Sequence, residues 1–323
     1  MINNQKIGIV IPCYKVEKEI LDVISKIKND IDQIFIVDDC CPNQSGALVE
    51  KHCLDPRIVV VRNEKNLGVG GAVMIGYALA IEHGMQIIVK VDGDGQMNPQ
   101  LIPAFVKPIA NGEADYTKGN RFYSLELIQG MPKGRIFGNA ILSLITKLSS
   151  GYWNIFDPTN GYTAISSKVA KLLPFQKINN GYFFETDMLF RLNTVRALVQ
   201  DIPMQAVYAQ EESNLRIHKV IYPFFVNNLK NFFKRIFYNY YLRDLSIASF
   251  ELPLGILLLV SGGSFGLYKW IESSHLQIPA TAGSVMLSAL PILTGIQLIL
   301  AFLASDIASV PDRAIHTKLQ EIE

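Results

Sequence analysis

Residues 87–96 read Ile87-Ile88-Val89-Lys90-Val91-Asp92-Gly93-Asp94-Gly95-Gln96. A short, mostly apolar run ends in two carboxylates separated by a glycine, the residue that lets a backbone turn sharply. Three similar runs precede it, at 7–11, 34–37 and 58–61. Stretches with helical character lie between and after them, at 17–28, 70–82 and 99–110. Strands that alternate with helices predict a parallel sheet flanked by helices, an α/β class. In such sheets ligands bind beyond the carboxyl ends of the strands. The polar residues that follow each run are therefore the candidate site: Pro12-Cys13-Tyr14, Asp38-Asp39, and Asp92 with Asp94 and Gln96.

The chain has 323 residues and a net charge of +1, with 49% hydrophobic and only 18% charged residues. That balance excludes a disordered or nucleic-acid-binding chain, and its low charge points to a membrane component. The four cysteines form no disulfide framework and lack zinc spacing, which predicts a reducing compartment. The first strand starts near residue 7, an arrangement that predicts no cleavable signal sequence.

Charge is unevenly distributed. Between residues 245 and 310 only Glu251, Lys269, Glu272 and Asp306 are charged, and a membrane-crossing helix needs about 20 apolar residues. Two transmembrane helices are expected, at about 245–270 and 277–305, joined by a loop around 269–277. Residues 221–244 alternate Phe225, Leu229, Phe232, Ile236 and Tyr240 with Lys230, Lys234 and Arg235, the pattern of an amphipathic helix at a membrane interface. Arg243, Arg313 and Lys318 outside the hairpin place residues 1–220 and the 311–323 tail in the cytoplasm. Gly262, Gly263, Gly266, Ala282 and Gly283 are small enough for close helix contacts, within a subunit or in a homo-oligomer.

Asp92 and Asp94 offer hard oxygen ligands suited to Mg²⁺ or Mn²⁺, with a substrate diphosphate completing the shell. Asn66-Leu67-Gly68-Val69-Gly70-Gly71 resembles a dinucleotide fingerprint, but Val73 occupies the position of its last glycine. Two readings stand for it: a small-residue helix start packed against the sheet, and a helix N-terminus near an anion.

Taken in order, Ile9-Val10-Ile11-Pro12-Cys13-Tyr14, Val37-Asp38-Asp39, Asn66-Leu67-Gly68 and Asp92-x-Asp94-x-Gln96 resemble the successive signatures of family 2 glycosyltransferases of the GT-A fold. The likeness continues through Gly119-Asn120-Arg121, Arg135-x-x-x-Asn139, residues 157–162 and Phe184-Glu185. It is greatest toward the dolichyl-phosphate mannose synthase and bacterial bactoprenol glucosyltransferase branches. This resemblance implies an enzyme: inverting, metal-dependent transfer of a hexose from a nucleotide sugar, UDP-glucose by preference, to polyprenyl phosphate. It also implies a bacterial inner-membrane location.

By the same resemblance, Pro12, Tyr14, Asp38, Asp39, Asn66, Gly68, Asp92 and Arg121 bind the nucleotide sugar. Asp92, Asp94 and Gln96 hold the metal, and Asp94, Asp157, Glu185 and Arg135 carry the chemistry. Arg135, Asn139, Arg216 and Lys219 face the acceptor phosphate. Lys15 and residues 40–43 depart from the family pattern near the base, and residues 210–216 depart from the usual diphosphate clamp. Another membrane acceptor, or a non-catalytic nucleotide-sugar-binding scaffold, are the alternatives. A processive polysaccharide synthase is disfavoured, because neither Trp153 nor Trp270 follows an arginine.

Overall fold

A computed structural model describes residues 5–124, 126, 131, 133–205 and 217–319 of the chain. It divides into two compact units, Met1–Phe232 together with Pro311–Glu323, and Phe233–Val310.

In the first unit, β1 (Ile7–Cys13), α1 (Ile20–Ser25), β2 (Gln33–Asp38), α2 (Ser45–His52), β3 (Ile58–Arg62), α3 (Val69–Glu82) and β4 (Ile87–Lys90) alternate as the sequence predicts. There follow α4 (Ile102–Ala110), β5 (Tyr116–Asn120), α5 (Lys133–Ser150), β6 (Thr163–Ser166), α6 (Ser167–Lys171), α7 (Phe184–Thr194), β7 (Val199–Pro203) and α8 (Ile217–Phe237), which continues into the second unit. The sheet order is β3-β2-β1-β4-β6-β5-β7. All pairings are parallel except those of β6, which runs antiparallel to both β4 and β5. Strands covered on both faces read as near-continuous apolar runs, and β1, β2 and β4 do so apart from Lys90 and the polar ends of β2.

The core is built from Ile7, Ile9, Ile11, Ile34, Ile36, Val89 and Val91 of the sheet, together with Ile20, Val23, Ile102, Phe105 and Val106 of the helices. Helix α3 lies against β1 so closely that a Cβ at Gly76 would stand 2.2 Å from Val10 Cγ1. Asn98 caps the start of the turn that leads into α4, its side chain accepting from Gln100 N at 3.0 Å. Helix α1 is shorter than the pattern predicts, since Lys26 N–H already bonds back to Val23 O.

The 311–319 segment belongs to the first unit. Buried Asp115, at the entry to β5, accepts from Ile315 N (2.9 Å), His316 N (2.8 Å), His316 Nδ1 (2.7 Å) and Leu198 N (2.8 Å).

The second unit is a helical hairpin, α9 (Ala248–Leu276) and α10 (Ala282–Ala308). Both helices are long and apolar enough to cross a membrane, and only 11% of the most apolar window of each is buried. The connection is tighter than the sequence suggests. Lys269 and Glu272 remain helical and pair with each other at 2.5 Å, leaving 277–281 as the turn. Close packing uses Gly255, Gly262 and Gly295; a Cβ at Gly262 would lie 2.8 Å from Ser288 O, and one at Gly295 2.7 Å from Gly255 O. Gly263 faces open space. Within the same unit, Arg235 and Asp306 form a fully buried ion pair at 2.6 Å, and Tyr240 OH donates to the same carboxylate at 2.7 Å.

Candidate active site

Parallel β1, β2 and β4 end at one edge of the sheet. Because β6 runs the other way, its start lies at that same edge: Lys90 is opposite Thr163, so Gly161 and Tyr162 adjoin the end of β4. The topology thus gathers Pro12, Tyr14, Asp38, Asp39, Asp92, Asp94 and Gly161 at one edge.

Beyond β4 the chain turns at Gly95, where φ is +73°, and Asp94 Oδ1 accepts from Gln96 N at 3.0 Å. Asp92 is partly exposed and pairs with Lys90 at 2.6 Å. A Cβ at Gly161 would lie 2.2 Å from Lys90 Nζ and 3.2 Å from both Asp92 Oδ2 and Glu185 Oε1. Only glycine leaves room for these three ionisable groups to converge. Glu185 sits on the first turn of α7, where burial pushes its pKa up to about 8, with Lys90 the main opposing influence. Among the described residues no cluster of three or more His, Cys, Asp or Glu could by itself enclose a metal. Asp92 and Asp94, with Gln96, instead form an open set of oxygen donors on one turn. That set suits a hard dication that arrives with phosphates of its own.

Asp157 is held by a network of its own. It is fully buried, and its carboxylate accepts from Arg121 Nε and Nη2, both at 2.7 Å, and from Arg121 N at 3.1 Å. Asn160 Nδ2 adds a fourth donor at 3.2 Å. The Arg121 guanidinium holds the acid below the usual carboxylate range against the opposing effect of burial. Beneath them, buried Lys118 donates to Asp157 O at 2.6 Å and Phe156 O at 2.7 Å, fixing Asp157 at its positive φ of 53°. Asp157 and Arg121 therefore brace the loop before β6.

Asp38 and Asp39 are likewise buried, Asp38 turned into the loop and helix start that follow β2 and Asp39 toward the segment between β3 and α3. Asp38 accepts from Cys41 N and Gly46 N, each at 2.7 Å. Asp39 accepts from Asn63 Nδ2 (2.8 Å), Leu67 N (2.9 Å) and Gly68 N (2.8 Å). They shape the walls beside Pro12 and the exposed ring of Tyr14. Asn66 Oδ1 accepts from Gly68 N at 3.0 Å, which places both residues in that wall. The two readings of the glycine-rich helix start resolve toward packing: Asn180 O accepts from Gly70 N at 2.8 Å and Gly71 N at 3.3 Å, and occupies donors that an anion would need.

Arg135 lies in the first turn of α5, with its side chain outside the described atoms, and Asn139 follows one turn later. Asn139 Nδ2 is buried without a hydrogen-bond partner among the described residues. Lys219 is in the first turn of α8, with its side chain also undescribed, and Arg216 lies outside the described residues. Helix α5 exposes Phe137, Ile141 and Leu144 along one stripe, and α8 exposes Ile221, Tyr222, Phe225 and Leu229. Ser149 Oγ joins the two helices by donating to Asn228 Oδ1 at 2.6 Å.

With this geometry in hand, residues 8–173, half of the chain, match Glycosyl transferase family 2. The chain belongs to that family. Similar proteins include the UDP-N-acetylglucosamine–dolichyl-phosphate N-acetylglucosaminyltransferase of Methanococcus voltae, 28% identical over 63% of this chain and 86% of that one. The undecaprenyl-phosphate mannosyltransferase of Micrococcus luteus is 24% identical over 61% of this chain and 82% of its own. Among solved structures, glucosyl-3-phosphoglycerate synthase from Mycobacterium tuberculosis, crystallised with Mn²⁺, UDP and glucosyl-3-phosphoglycerate, shares the fold with a TM-score of 0.52. It is 18% identical and covers 72% of this chain and 80% of its own.

This family 2 glycosyltransferase holds two residues near the site that motif reading passed over, Lys90 and Lys118. The signal for Lys90 was in plain view, as a lone lysine inside an apolar strand. Lys118 follows Tyr116-Thr117, too polar a run to register as a buried strand.

Proposed function

We propose that the protein transfers a hexose from a nucleotide sugar to polyprenyl phosphate at the cytoplasmic face of a membrane, with glucose from UDP-glucose as the expected donor. The observation that carries the reading is the combination in one chain of a family 2 catalytic unit, bearing the open Asp92–Asp94 turn, with an apolar helical hairpin. The relatives named for transfer to dolichyl phosphate and undecaprenyl phosphate support the same class of acceptor. The exposed apolar stripes of α5 and α8 fit a catalytic unit that rests on lipid. Arg243, Arg313 and Lys318, on the outer flanks of the hairpin, favour a cytoplasmic catalytic unit.

In this reading Pro12 and Tyr14 line the nucleoside pocket, shaped by Asp38, Asp39, Asn66 and Gly68. Asp92, Asp94 and Gln96 hold Mg²⁺ or Mn²⁺, which when bound supplies charge stabilisation to the departing diphosphate. Arg135 and Asn139, one turn apart on α5, receive the acceptor phosphate, with Arg216 and Lys219 as further cations. That phosphate is anionic at neutral pH and requires no strong base. One of its oxygens forms a bond to the anomeric carbon as the bond to the donor's β-phosphate oxygen breaks, and the electron pair leaves with the nucleoside diphosphate. Such in-line displacement inverts the anomeric centre, giving a β-linked product from an α-linked donor. Glu185, largely neutral at pH 7, lies beside the reacting end as a hydrogen-bond donor to the sugar. Association of chains through the exposed hairpin faces is part of the same proposal.

The test is a donor panel on the detergent-purified full chain. UDP-glucose, UDP-galactose, UDP-N-acetylglucosamine and GDP-mannose are each incubated with undecaprenyl phosphate, with and without Mg²⁺ or Mn²⁺. Lipid products are read by mass spectrometry and NMR. A metal-dependent, β-linked polyprenyl phosphohexose from one donor is expected. Retained anomeric configuration would overturn the displacement. Binding of a nucleotide sugar with no lipid product would move the function to another acceptor or to a scaffold.

A further inference from the structure

Lys90 occupies a costly position. It lies in β4, between β1 and β6 near the middle of the sheet, and its side chain is 2% exposed. An ammonium group tolerates such burial only when paired. Its partner is Asp92 Oδ1, at 2.6 Å, and its Nζ also stands 5.5 Å from the centre of the Phe184 ring. The absent side chain of Gly161 supplies the space that Nζ occupies. A fixed positive charge is thus built against the first carboxylate of the turn.

We propose that Lys90 is a positioning residue that acts as the resident counter-ion of Asp92, so that the donor-free protein binds divalent cations weakly and takes them up together with a nucleoside diphosphate. The inference rests on the proposed role of Asp92 and Asp94 as the cation's protein ligands. With Asp92 matched by Lys90, an approaching dication gains less from that carboxylate and is repelled by Lys90 at short range. A nucleoside diphosphate brings the negative charge that tips the balance. Metal uptake is then tied to donor uptake, and a buried lysine is the device that ties them.

Mn²⁺ binding to the full chain in detergent, followed by the electron paramagnetic resonance signal of free Mn²⁺, tests this with and without UDP. Lys90→Met removes the charge. Lys90→Gln removes it while keeping a donor for Asp92, and decides the question if the methionine variant does not fold. Lys90→Arg keeps the charge. Without UDP, the Met and Gln variants should bind Mn²⁺ on the order of tenfold more tightly than wild type, and Lys90→Arg should match wild type. With UDP present the difference should narrow. A merely structural role predicts unchanged or weaker Mn²⁺ binding in the Met and Gln variants, and that result overturns the proposal. Asp94→Asn is the separate control. If it binds Mn²⁺ in the presence of UDP as wild type does, the ligand assignment itself fails, whatever the Lys90 variants show.

Discussion

Asp157→Asn separates bracing from chemistry. The wild-type carboxylate is fully buried and closes a bidentate pair with Arg121, whose side chain is 20% exposed, while Lys118 is buried directly below. Breaking a buried ion pair from one side costs about 3–5 kcal/mol. Asparagine keeps one acceptor oxygen and Arg121 retains some access to water, so the lower end applies, about 3 kcal/mol. For a unit of this size each kcal/mol shifts the melting temperature by about 2–4 °C, giving a loss of about 6–12 °C. Arg121→Met should cost a similar amount. The double variant should fall short of the sum by about 2 kcal/mol, because each single change already removes the pair. The assay is thermal unfolding in detergent, followed by intrinsic fluorescence, with nucleotide-sugar turnover measured alongside. The pH dependence has a definite sign. The depressed pKa of Asp157 contributes stability that is present above the ordinary carboxylate range and is lost as pH falls through the folded value, so the gap between wild type and Asp157→Asn should shrink in acid. A melting temperature within 2 °C of wild type, together with a collapse in turnover, would refute the bracing role and return Asp157 to the reaction.

Glu185 has a raised pKa of about 8, so its burial is favourable at low pH and that contribution is lost as pH rises through 8. Glu185→Gln should therefore gain stability relative to wild type as pH rises from 5 to 9, by up to about 4 kcal/mol, read as a rise in melting temperature in the same unfolding assay. Asp115→Ala removes the acceptor of three backbone N–H groups, those of Leu198, Ile315 and His316, and of the His316 ring. Amide exchange at Ile315 and His316 should accelerate more than tenfold, as hydrogen-exchange mass spectrometry would detect. Arg235→Met leaves Asp306 as an unpaired buried charge and should lower the thermal stability of the detergent-solubilised chain. Arg235→Met combined with Asp306→Leu should recover most of the loss in size-exclusion profiles after heating.

The first half of the sheet was legible because its strands are covered on both faces, which leaves apolar runs at 7–11 and 34–37 and, interrupted only by Lys90, at 87–91. Strand β6 was not. Thr163-Ala164-Ile165-Ser166 has four residues, two of them hydroxylated, and no periodicity over that length separates it from a loop. The acid turn was legible because Asp92 and Asp94 follow a strand directly. The partners of Asp157 and Asp38 were not, since a carboxylate facing a substrate and one held by an arginine or by backbone amides share the same local sequence. Distance along the chain hid the rest: Arg121 meets an acid 36 residues away, and Lys90 gains its space from Gly161. The hairpin was legible from its scarcity of charge, but its turn was displaced because Lys269 and Glu272 neutralise each other within the helix.

The seat of residues 315 and 316 on Asp115 sets an order of events during synthesis. The carboxylate is buried at the entry to β5, yet three of its hydrogen-bond donors lie about 200 residues downstream, beyond both hairpin helices. On a ribosome that half of the molecule waits. Strands β1 to β7 emerge first with an acid at their rim that only Leu198 N has reached, the apolar helices follow, and only then does the chain deliver the other donors. The catalytic unit thus carries a folding timer: its last stitch cannot close until the hairpin has been made.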